Sequence, residues 1–330
     1  MLGPLLFLLY VNDLCRSSDK LSFYLFADDT NLLYADRDIN SLERVVNAEL
    51  SKVQEWLVAN RLTLNAKKSN FVIFHPYQKK LDRNVILKIF DIETNDFVLL
   101  DQKTYIKYLG ILIDSNLTWK YHISYITSKI SKTIGVIARL RHFVPTSTLL
   151  TLYRSLLSPY LLYGVTVWGQ APQIYLNQIL VLQKRALRLI YFAPYRSSAV
   201  SLFVSSGCLP IGLLYFKAVS ILMHDVLNNL SPRNISNLFS SVNVIHTYST
   251  RFSSAGILYT KYSRLTHQIK SFSRRGVMIW NSIPQDLRKL SRSHFKNKMR
   301  HYLLQILEQE EDYVGIPTIM SHLQKITKII

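Results

Sequence analysis

The chain has 330 residues, of which 48% are apolar, so its length allows two or three domains with cores of their own. The formal net charge is +19, and the segment from Ser115 to Leu307 holds 24 lysines and arginines but only two acidic residues. This charge favours a polyanionic partner, either nucleic acid or an acidic membrane surface; a solvated basic face is the alternative. Cys15 and Cys208 have no ligands nearby at zinc spacing, which excludes a zinc pattern, and two distant cysteines fit a reducing compartment better than a disulfide framework.

The chain begins with two predicted elements that frame its most informative stretch. The apolar run 3–14 predicts a helix, and because it is apolar on every side we expect it to be buried on every side. Apolar and aromatic residues then lead up to Asp28 and Asp29 and continue after them. This pattern predicts a β-hairpin over Leu21–Ala35 with both carboxylates at its tip.

A predicted helix follows the hairpin, capped by Asn40 and closed by Asn60. Residues 1–114 as a whole then alternate helix and antiparallel strand, which predicts an α+β domain. Its further strands are predicted at 71–74, 85–90, 97–100 and 105–114.

The pattern changes after Asp114, where mainly helical segments are predicted up to residue 230. Trp119–Phe143 is typical of an amphipathic basic helix. Residues 231–276 are rich in small polar residues without periodicity, so we expect a loosely ordered connector with short strands at best. The other predicted helices are Thr146–Leu157, Asn177–Tyr191, Leu209–Asn228 and Gln285–Glu311.

Two apolar segments raise the question of a membrane. The start of the chain, 1–11, lacks the basic flank of a signal peptide. Ser155–Gln183 carries no formal charge and is long enough to cross a bilayer, but prolines and glycines such as Pro159 and Gly164 interrupt it. We therefore predict buried helices joined by turns, and no membrane partner.

Four blocks of sequence, in this order, carry a resemblance to a known family. They are Leu2-Gly3-Pro4-Leu5-Leu6-Phe7, Phe26-Ala27-Asp28-Asp29-Thr30, Leu64-Asn65 with Lys68-Ser69, and Tyr108-Leu109-Gly110. Together they resemble the reverse transcriptases of non-LTR, LINE- or jockey-like retrotransposons over residues 2–114. The rest is similar to the region C-terminal to the polymerase in such elements, through Tyr163-Gly164 with Trp168-Gly169, Gln183-Lys184-Arg185 with Arg188, and Trp280-Asn281 with Ile283-Pro284.

The resemblance implies a fold and a reaction. Residues 1–114 would be the C-terminal part of a polymerase palm, 115–230 a helical thumb and 231–330 a basic C-terminal region. The implied activity is RNA-directed DNA synthesis with Mg²⁺ or Mn²⁺ held by Asp28 and Asp29, of which the first is the principal ligand. The implied partners are an RNA template, a DNA primer or target and, in the intact enzyme, a deoxynucleoside triphosphate. An intracellular location with access to the nucleus is implied in the same way.

The resemblance also assigns roles to residues around the carboxylates, each with a plainer alternative. The nucleotide- and primer-binding residues would be Phe26, Ala27, Lys68, Tyr108, Leu109 and Gly110. For Phe26 the alternative is hairpin core, for Lys68 a surface lysine, and for Gly110 an ordinary turn. On a predicted helix, Lys184, Arg185 and Arg188 would follow phosphates, or else form a solvated face.

The sequence also departs from the family. The family requires another catalytic aspartate from an upstream strand, and fingers that clamp the triphosphate; neither pattern is in these 330 residues. We therefore expect a truncated reverse transcriptase that is inactive alone. The alternative is a non-catalytic nucleic-acid-binding protein derived from such an element, and a membrane-surface protein is the weakest candidate.

Overall fold

The computed structural model describes residues 2–78, 81, 83–91, 95–240, 257–260, 262, 264 and 266–309. They fall into two compact units, 1–117 and 118–330. The described residues of the first unit mix helix with small sheets, and those of the second are largely helical. This mixture is compatible with the α+β class predicted from the sequence.

The described residues of the first unit form two longer helices and four two-stranded sheets. The pairs β1–β2, β4–β5 and β7–β8 are antiparallel, whereas β3 pairs with β6 in parallel, so the prediction of antiparallel strands was wrong for that pair. The helices are α1 (Leu2–Tyr10) and α2 (Ile39–Ala59), and the strands are β1 (Ser22–Phe26), β2 (Asp29–Leu33), β3 (Asn70–Phe71), β4 (Lys88–Asp91), β5 (Asp96–Leu99), β6 (Asp101–Gln102), β7 (Tyr105–Tyr108) and β8 (Ile111–Asp114). The strand predicted at 71–74 shrinks to β3, since Phe74 is exposed and lies outside the pairing.

Helix α1 forms over the first part of the predicted helix 3–14 and ends at Tyr10, but its predicted burial was wrong. None of its nine residues is buried against the described part of the chain, and Leu2 is 71% exposed. The hydroxyl of Tyr10 donates a hydrogen bond to the carbonyl of Asn60 at the end of α2. An apolar pattern identifies residues that gain from burial, but burial itself requires a partner surface, which the described residues do not supply on every side.

Helix α2 is bounded by side-chain caps. The carboxylate of Asp38 accepts a hydrogen bond from the Ser41 backbone N–H at 2.7 Å, so the cap lies two residues before the predicted Asn40. At the other end, the side chain of Asn60 donates to the carbonyl of Trp56 at 2.9 Å, as the predicted helix end requires. The Asp38 carboxylate also lies at the positive end of the helix dipole, where negative charge is favourable.

The second unit is built of helices around α9. These are α3 (Lys120–Leu140), α4 (Thr146–Leu152), α5 (Ser158–Leu162), α6 (Val165–Trp168), α7 (Gln173–Ile190), α8 (Val200–Ser206), α9 (Ile211–Leu227), α10 (Arg233–Ser236), α11 (Thr266–Lys270), α12 (Phe272–Asn281), α13 (Gln285–Arg288) and α14 (Arg292–Glu308), with a π-helical turn at Tyr153–Leu157 between α4 and α5. Isoleucines on one face of α3, among them Ile123, Ile130 and Ile137, are buried, and α3 packs along α7. Helices α12 and α14 pack on α9, so the core includes Phe216 and Phe295.

Two predictions in this unit need correction. The last helix, predicted as Gln285–Glu311, is broken into α13 and α14 because the backbone of Ser291 is extended; Glu311 lies outside the described residues. The connector predicted at 231–276 contains α10, α11 and the start of α12, and its residues 241–256 also lie outside. Helices of four or five residues are too short to show a helical period in sequence.

The charge-free segment Ser155–Gln183 forms α5, α6 and most of α7, with Leu157, Leu161 and Trp168 buried, as predicted. Among the described residues, no single helix is long and apolar enough to cross a membrane. One pair, α8 with α9, passes the same test together but is bent by 47°.

Candidate functional site

The β1–β2 hairpin carries the acidic pair in a two-residue turn. Phe26 pairs with Asp29 as the last rung of the ladder, which leaves Ala27 and Asp28 as the two turn residues. Ala27 has a positive φ of 52° and Asp28 does not, a combination found in type II′ turns, where the first position usually takes glycine. Such a conformation costs a residue with a Cβ of the order of 1 kcal/mol, and strain of this kind is concentrated at functional sites.

One face of the hairpin is anchored and the other is open. Phe23, Leu25 and Leu32 pack with Val53 and Trp56 of α2 in the core of the first unit. On the opposite face the aromatic rings of Tyr24 and Phe26 are exposed, so the alternative that Phe26 belongs to the hairpin core was wrong. The period of two along each strand puts these two rings on the same face as Asp29.

A buried carboxylate secures the entry to this hairpin. Glu49 of α2 accepts hydrogen bonds from the hydroxyl of Ser18 at 2.6 Å and the ammonium of Lys52 at 2.9 Å. These bonds hold the pKa of Glu49 below its usual range, with Ser18 as the main cause. The Ser18 oxygen in turn accepts the N–H of Leu21 at 3.1 Å, which fixes the chain just before β1.

Both candidate metal ligands are exposed. Asp28 lies in the turn and Asp29 begins β2, so the two residues are not neighbours along one strand. Among the described residues, neither carboxylate accepts a hydrogen bond or forms an ion pair, and no group of three or more acidic, histidine or cysteine side chains that could hold a metal is present. Two carboxylates whose side chains can rotate suit Mg²⁺, because this ion prefers oxygen ligands, keeps several waters and needs few protein ligands.

The remaining predicted residues of the first unit lie on separate elements. Lys68 is exposed at the end of a short 3₁₀ turn, Ala66–Lys68, in which the Asn65 side chain accepts from the Lys68 backbone N–H at 3.1 Å. Tyr108 ends β7, and Leu109 and Gly110 form the turn to β8, both with positive φ. That turn has the type I′ pattern, which favours glycine at such positions.

On α7 the predicted phosphate-binding residues differ in their surroundings. Arg185 is exposed and Lys184 is half-buried. Arg188 donates two hydrogen bonds, at 2.8 and 3.2 Å, to the carbonyl of Ser197, and so it holds the loop after α7. The three side chains therefore do not form one open basic face, and Arg188 has a structural role that sequence alone did not indicate.

Gln183, in the same sequence block, is buried and joins three parts of the second unit by hydrogen bonds. Gln183 donates to the hydroxyl of Tyr153 at 3.1 Å and to the carbonyl of Leu209 at 3.2 Å, and it accepts from the N–H of Ile211 at 2.8 Å. It thus joins the π-helical turn, the start of α9 and α7 through fully satisfied polar groups.

Replacing Gln183 by leucine is expected to destabilise the second unit by about 2–4 kcal/mol, because three buried polar groups lose their partner. Thermal unfolding followed by near-ultraviolet circular dichroism measures the effect. Gln178→Leu on the same helix is the matched control, since Gln178 is exposed. If both variants unfold at the same temperature, the proposed role of Gln183 in joining these helices is contradicted.

The other sequence blocks after residue 160 also have packing explanations. The indole of buried Trp168 donates to the Tyr163 carbonyl at 2.8 Å, and a Cβ at Gly169 would lie 2.5 Å from the Tyr215 ring. The side chain of Asn281 pairs with both the N–H and the carbonyl of Leu258, each at 3.0 Å. These contacts stabilise the helical unit.

Comparison with known proteins agrees with this part of the sequence. Residues 1–113 match the family model of reverse transcriptase (RNA-dependent DNA polymerase). The probable RNA-directed DNA polymerase from transposon BS of Drosophila melanogaster is 30% identical over 205 residues, 59% of this chain and 22% of that protein. The RNA-directed DNA polymerase from mobile element jockey of the same species is 28% identical over 206 residues, 59% of this chain and 21% of that protein. No solved structure matches the chain.

Over residues 1–113 the chain is thus similar to the reverse transcriptases. The curated relatives point to non-LTR, jockey-like mobile elements. A further one, the probable RNA-directed DNA polymerase from transposon X-element of Drosophila melanogaster, is 29% identical over 198 residues, 58% of this chain and 21% of that protein. The chain spans about a fifth of the length of these curated relatives.

Proposed function

We propose that this chain acts as part of an RNA-directed DNA polymerase of a jockey-like element. In this proposal the first unit belongs to the palm, with Asp28 and Asp29 as metal ligands, and the helical unit supplies the thumb and a basic C-terminal region. The observation that carries the proposal is the β1–β2 hairpin. It is anchored on α2 by one face, and it presents two adjacent, exposed carboxylates at the tip.

Asp28 and Asp29 would hold Mg²⁺ or Mn²⁺ through their carboxylate oxygens. When bound, the metal supplies positive charge that stabilises the transferring phosphate oxygens of a nucleotide. The chain contributes a preorganised turn, because the ladder rung Phe26–Asp29 and the packing of β1 on α2 fix where the carboxylates stand. A turn with a fixed backbone limits the rearrangement that the reaction requires.

The partners follow from the same proposal. A DNA primer end would lie along the exposed face with Phe26 and Ala27, and Lys68 would face the triphosphate. Tyr108, Leu109 and Gly110, at the turn of the β7–β8 hairpin, would contact the primer. The RNA template and the product duplex would lie against the cationic second unit.

A second candidate function rests on charge alone. From Ser115 to His224 the chain has eleven lysines and arginines and no acidic residue. Such a surface binds polyanions without any catalytic group. The 330-residue chain would then be a non-catalytic nucleic-acid-binding protein derived from a mobile element.

The test is a chimera of the Drosophila melanogaster jockey polymerase in which residues 2–117, the first unit, replace the matching segment. Primer extension on an RNA template is expected with Mg²⁺ or Mn²⁺ and not with EDTA. An inactive but folded chimera, together with nucleic-acid binding by the 330-residue chain, would favour the second candidate.

A further inference from the structure

Two loops of the second unit present a set of exposed aromatic side chains among cations. The loop after α3 carries Phe143, which is 83% exposed, and the loop after α7 carries Phe192 and Tyr195, which are 50% and 87% exposed. Single exposed aromatics are ordinary on protein surfaces, but a group of three on adjoining loops is not. We call Phe143, Phe192 and Tyr195 the aromatic platform.

A cation–π contact and a ring–ring contact join the two loops. The guanidinium carbon of Arg141 lies 4.4 Å from the ring centroid of Phe192, and the imidazole of His142 meets the same ring edge-on at 5.7 Å. Phe143 follows directly in the chain. Its backbone N–H bonds to the carbonyl of Leu140 at 2.9 Å, which keeps it in the turn that ends α3.

The second loop is fixed by hydrogen bonds from α7. Arg188 donates to the Ser197 carbonyl, and its guanidinium lies 5.8 Å from the ring of Tyr195. The N–H of Ala193 bonds to the Arg188 carbonyl at 3.0 Å, and Phe192 has a positive φ of 54°. The loop is therefore held in a defined shape, and that shape leaves the Tyr195 ring in solvent.

The charge around the platform identifies the kind of ligand. Arg139, Arg185 and Arg196 are exposed on the helices and loops that carry it. The nearest acidic residues along the chain are Asp114 and Asp225. Exposed aromatic faces among arginines match a strand whose bases are unpaired, because phosphates contact the cations while base faces stack on the rings. In a duplex the base faces are already covered by their neighbours.

We propose that Phe143, Phe192 and Tyr195 form a stacking platform for unpaired bases of single-stranded nucleic acid. The platform deepens the proposed function, on which it rests for the nature of the ligand, by adding a contact that distinguishes single strands from duplexes. It lies wholly in the second unit. Failure of the polymerase chimera, which tests the first unit, therefore leaves it standing.

The experiment uses the 330-residue chain and fluorescence anisotropy with a labelled oligothymidylate of about 12 nucleotides, within the usual footprint of such sites. The duplex of equal length is measured beside it. The double variant Phe143→Ala with Tyr195→Ala is expected to lose about 30-fold or more in affinity for the single strand, since two rings are removed and stacking is worth ~1–3 kcal/mol per base. Duplex affinity should change by much less, and the salt dependence of binding should stay the same because no charge is removed.

Two further variants sharpen the result. Tyr195→Phe keeps the ring and should bind the single strand as the parent does. Tyr262→Ala removes an aromatic side chain that is 80% exposed elsewhere in the same unit, and it should also leave binding unchanged. Near-ultraviolet circular dichroism checks that every variant folds.

The proposal is overturned if the double variant binds the single strand as tightly as the parent, or loses single strand and duplex equally. It is equally overturned if the chain binds vesicles rich in anionic phospholipid through these two aromatics and does not bind the oligonucleotide. That outcome would make the platform a membrane contact.

Discussion

Replacing Asp28 by alanine in the jockey chimera is expected to reduce template-dependent primer extension by about 10²–10³-fold or more. The substitution removes a carboxylate that would hold the metal, and with it the electrostatic stabilisation that dominates phosphoryl and nucleotidyl transfer. Asp29→Ala should cost less, if Asp28 is the principal ligand. Steady-state primer extension with purified chimera, at saturating Mg²⁺ and again with Mn²⁺, measures both effects.

Asp19→Ala provides the control for this comparison. Asp19 is also an exposed aspartate of the first unit, close to β1, and among the described residues it has no hydrogen-bonding partner for its side chain. Its replacement should leave the rate within a factor of about two, as for ordinary surface substitutions. Similar losses for Asp19→Ala and Asp28→Ala would remove the hairpin from the active site. The 330-residue chain without jockey segments is expected to be inactive, since its described residues bring no third acidic ligand to this pair.

Nucleic-acid binding by the 330-residue chain is expected to weaken by about 10³-fold or more between ~50 and ~200 mM salt, if six or more phosphates are contacted. The cause is the release of counterions when lysines and arginines neutralise phosphates. The double variant Lys184→Glu with Arg185→Glu should bind more weakly and show a shallower dependence on salt, by ~1 unit of slope for each phosphate that is no longer neutralised. Anisotropy titrations at several salt concentrations give both numbers.

The matched control changes the net charge equally in the other unit. Arg16→Glu with Arg44→Glu replaces two exposed arginines of the near-neutral first unit. Its slope should remain that of the parent. Arg188 is left out of the test, because its replacement would release the Ser197 carbonyl and alter the loop as well as the charge. Binding that is indifferent to salt would contradict a phosphate-based interaction.

The acidic hairpin could be predicted because two independent patterns agreed there. The alternation of Phe23 and Leu25 specifies which face of β1 is buried, and the polar pair after Phe26 specifies the turn. Long helices such as α3 were predicted for a similar reason, since their apolar residues repeat over several turns. The positive φ of Ala27 could not be predicted, because alanine has no preference for it and the strain is imposed by the two strands.

Side-chain roles within one block were harder to predict than its position. Gln183, Lys184 and Arg188 stand within six residues, yet one is a buried connector and another holds a loop. Their partners, Tyr153 and Ser197, lie too far away along the chain for helical periodicity to relate them. The aromatic platform was missed for a related reason: Phe143 and Tyr195 are far apart in the chain, and only the packing of α3 along α7 brings their loops together.

The apolar surface of α1, which the described residues leave exposed, has a consequence for the colloidal behaviour of the purified chain. A helix with Leu2, Leu5 and Leu9 in water attracts the same helix of another molecule, while the net charge of +19 keeps molecules apart. Added salt screens that repulsion and leaves the attraction intact. The ionic conditions that release bound nucleic acid therefore also bring chains together. Light scattering beside each titration separates loss of ligand from self-association.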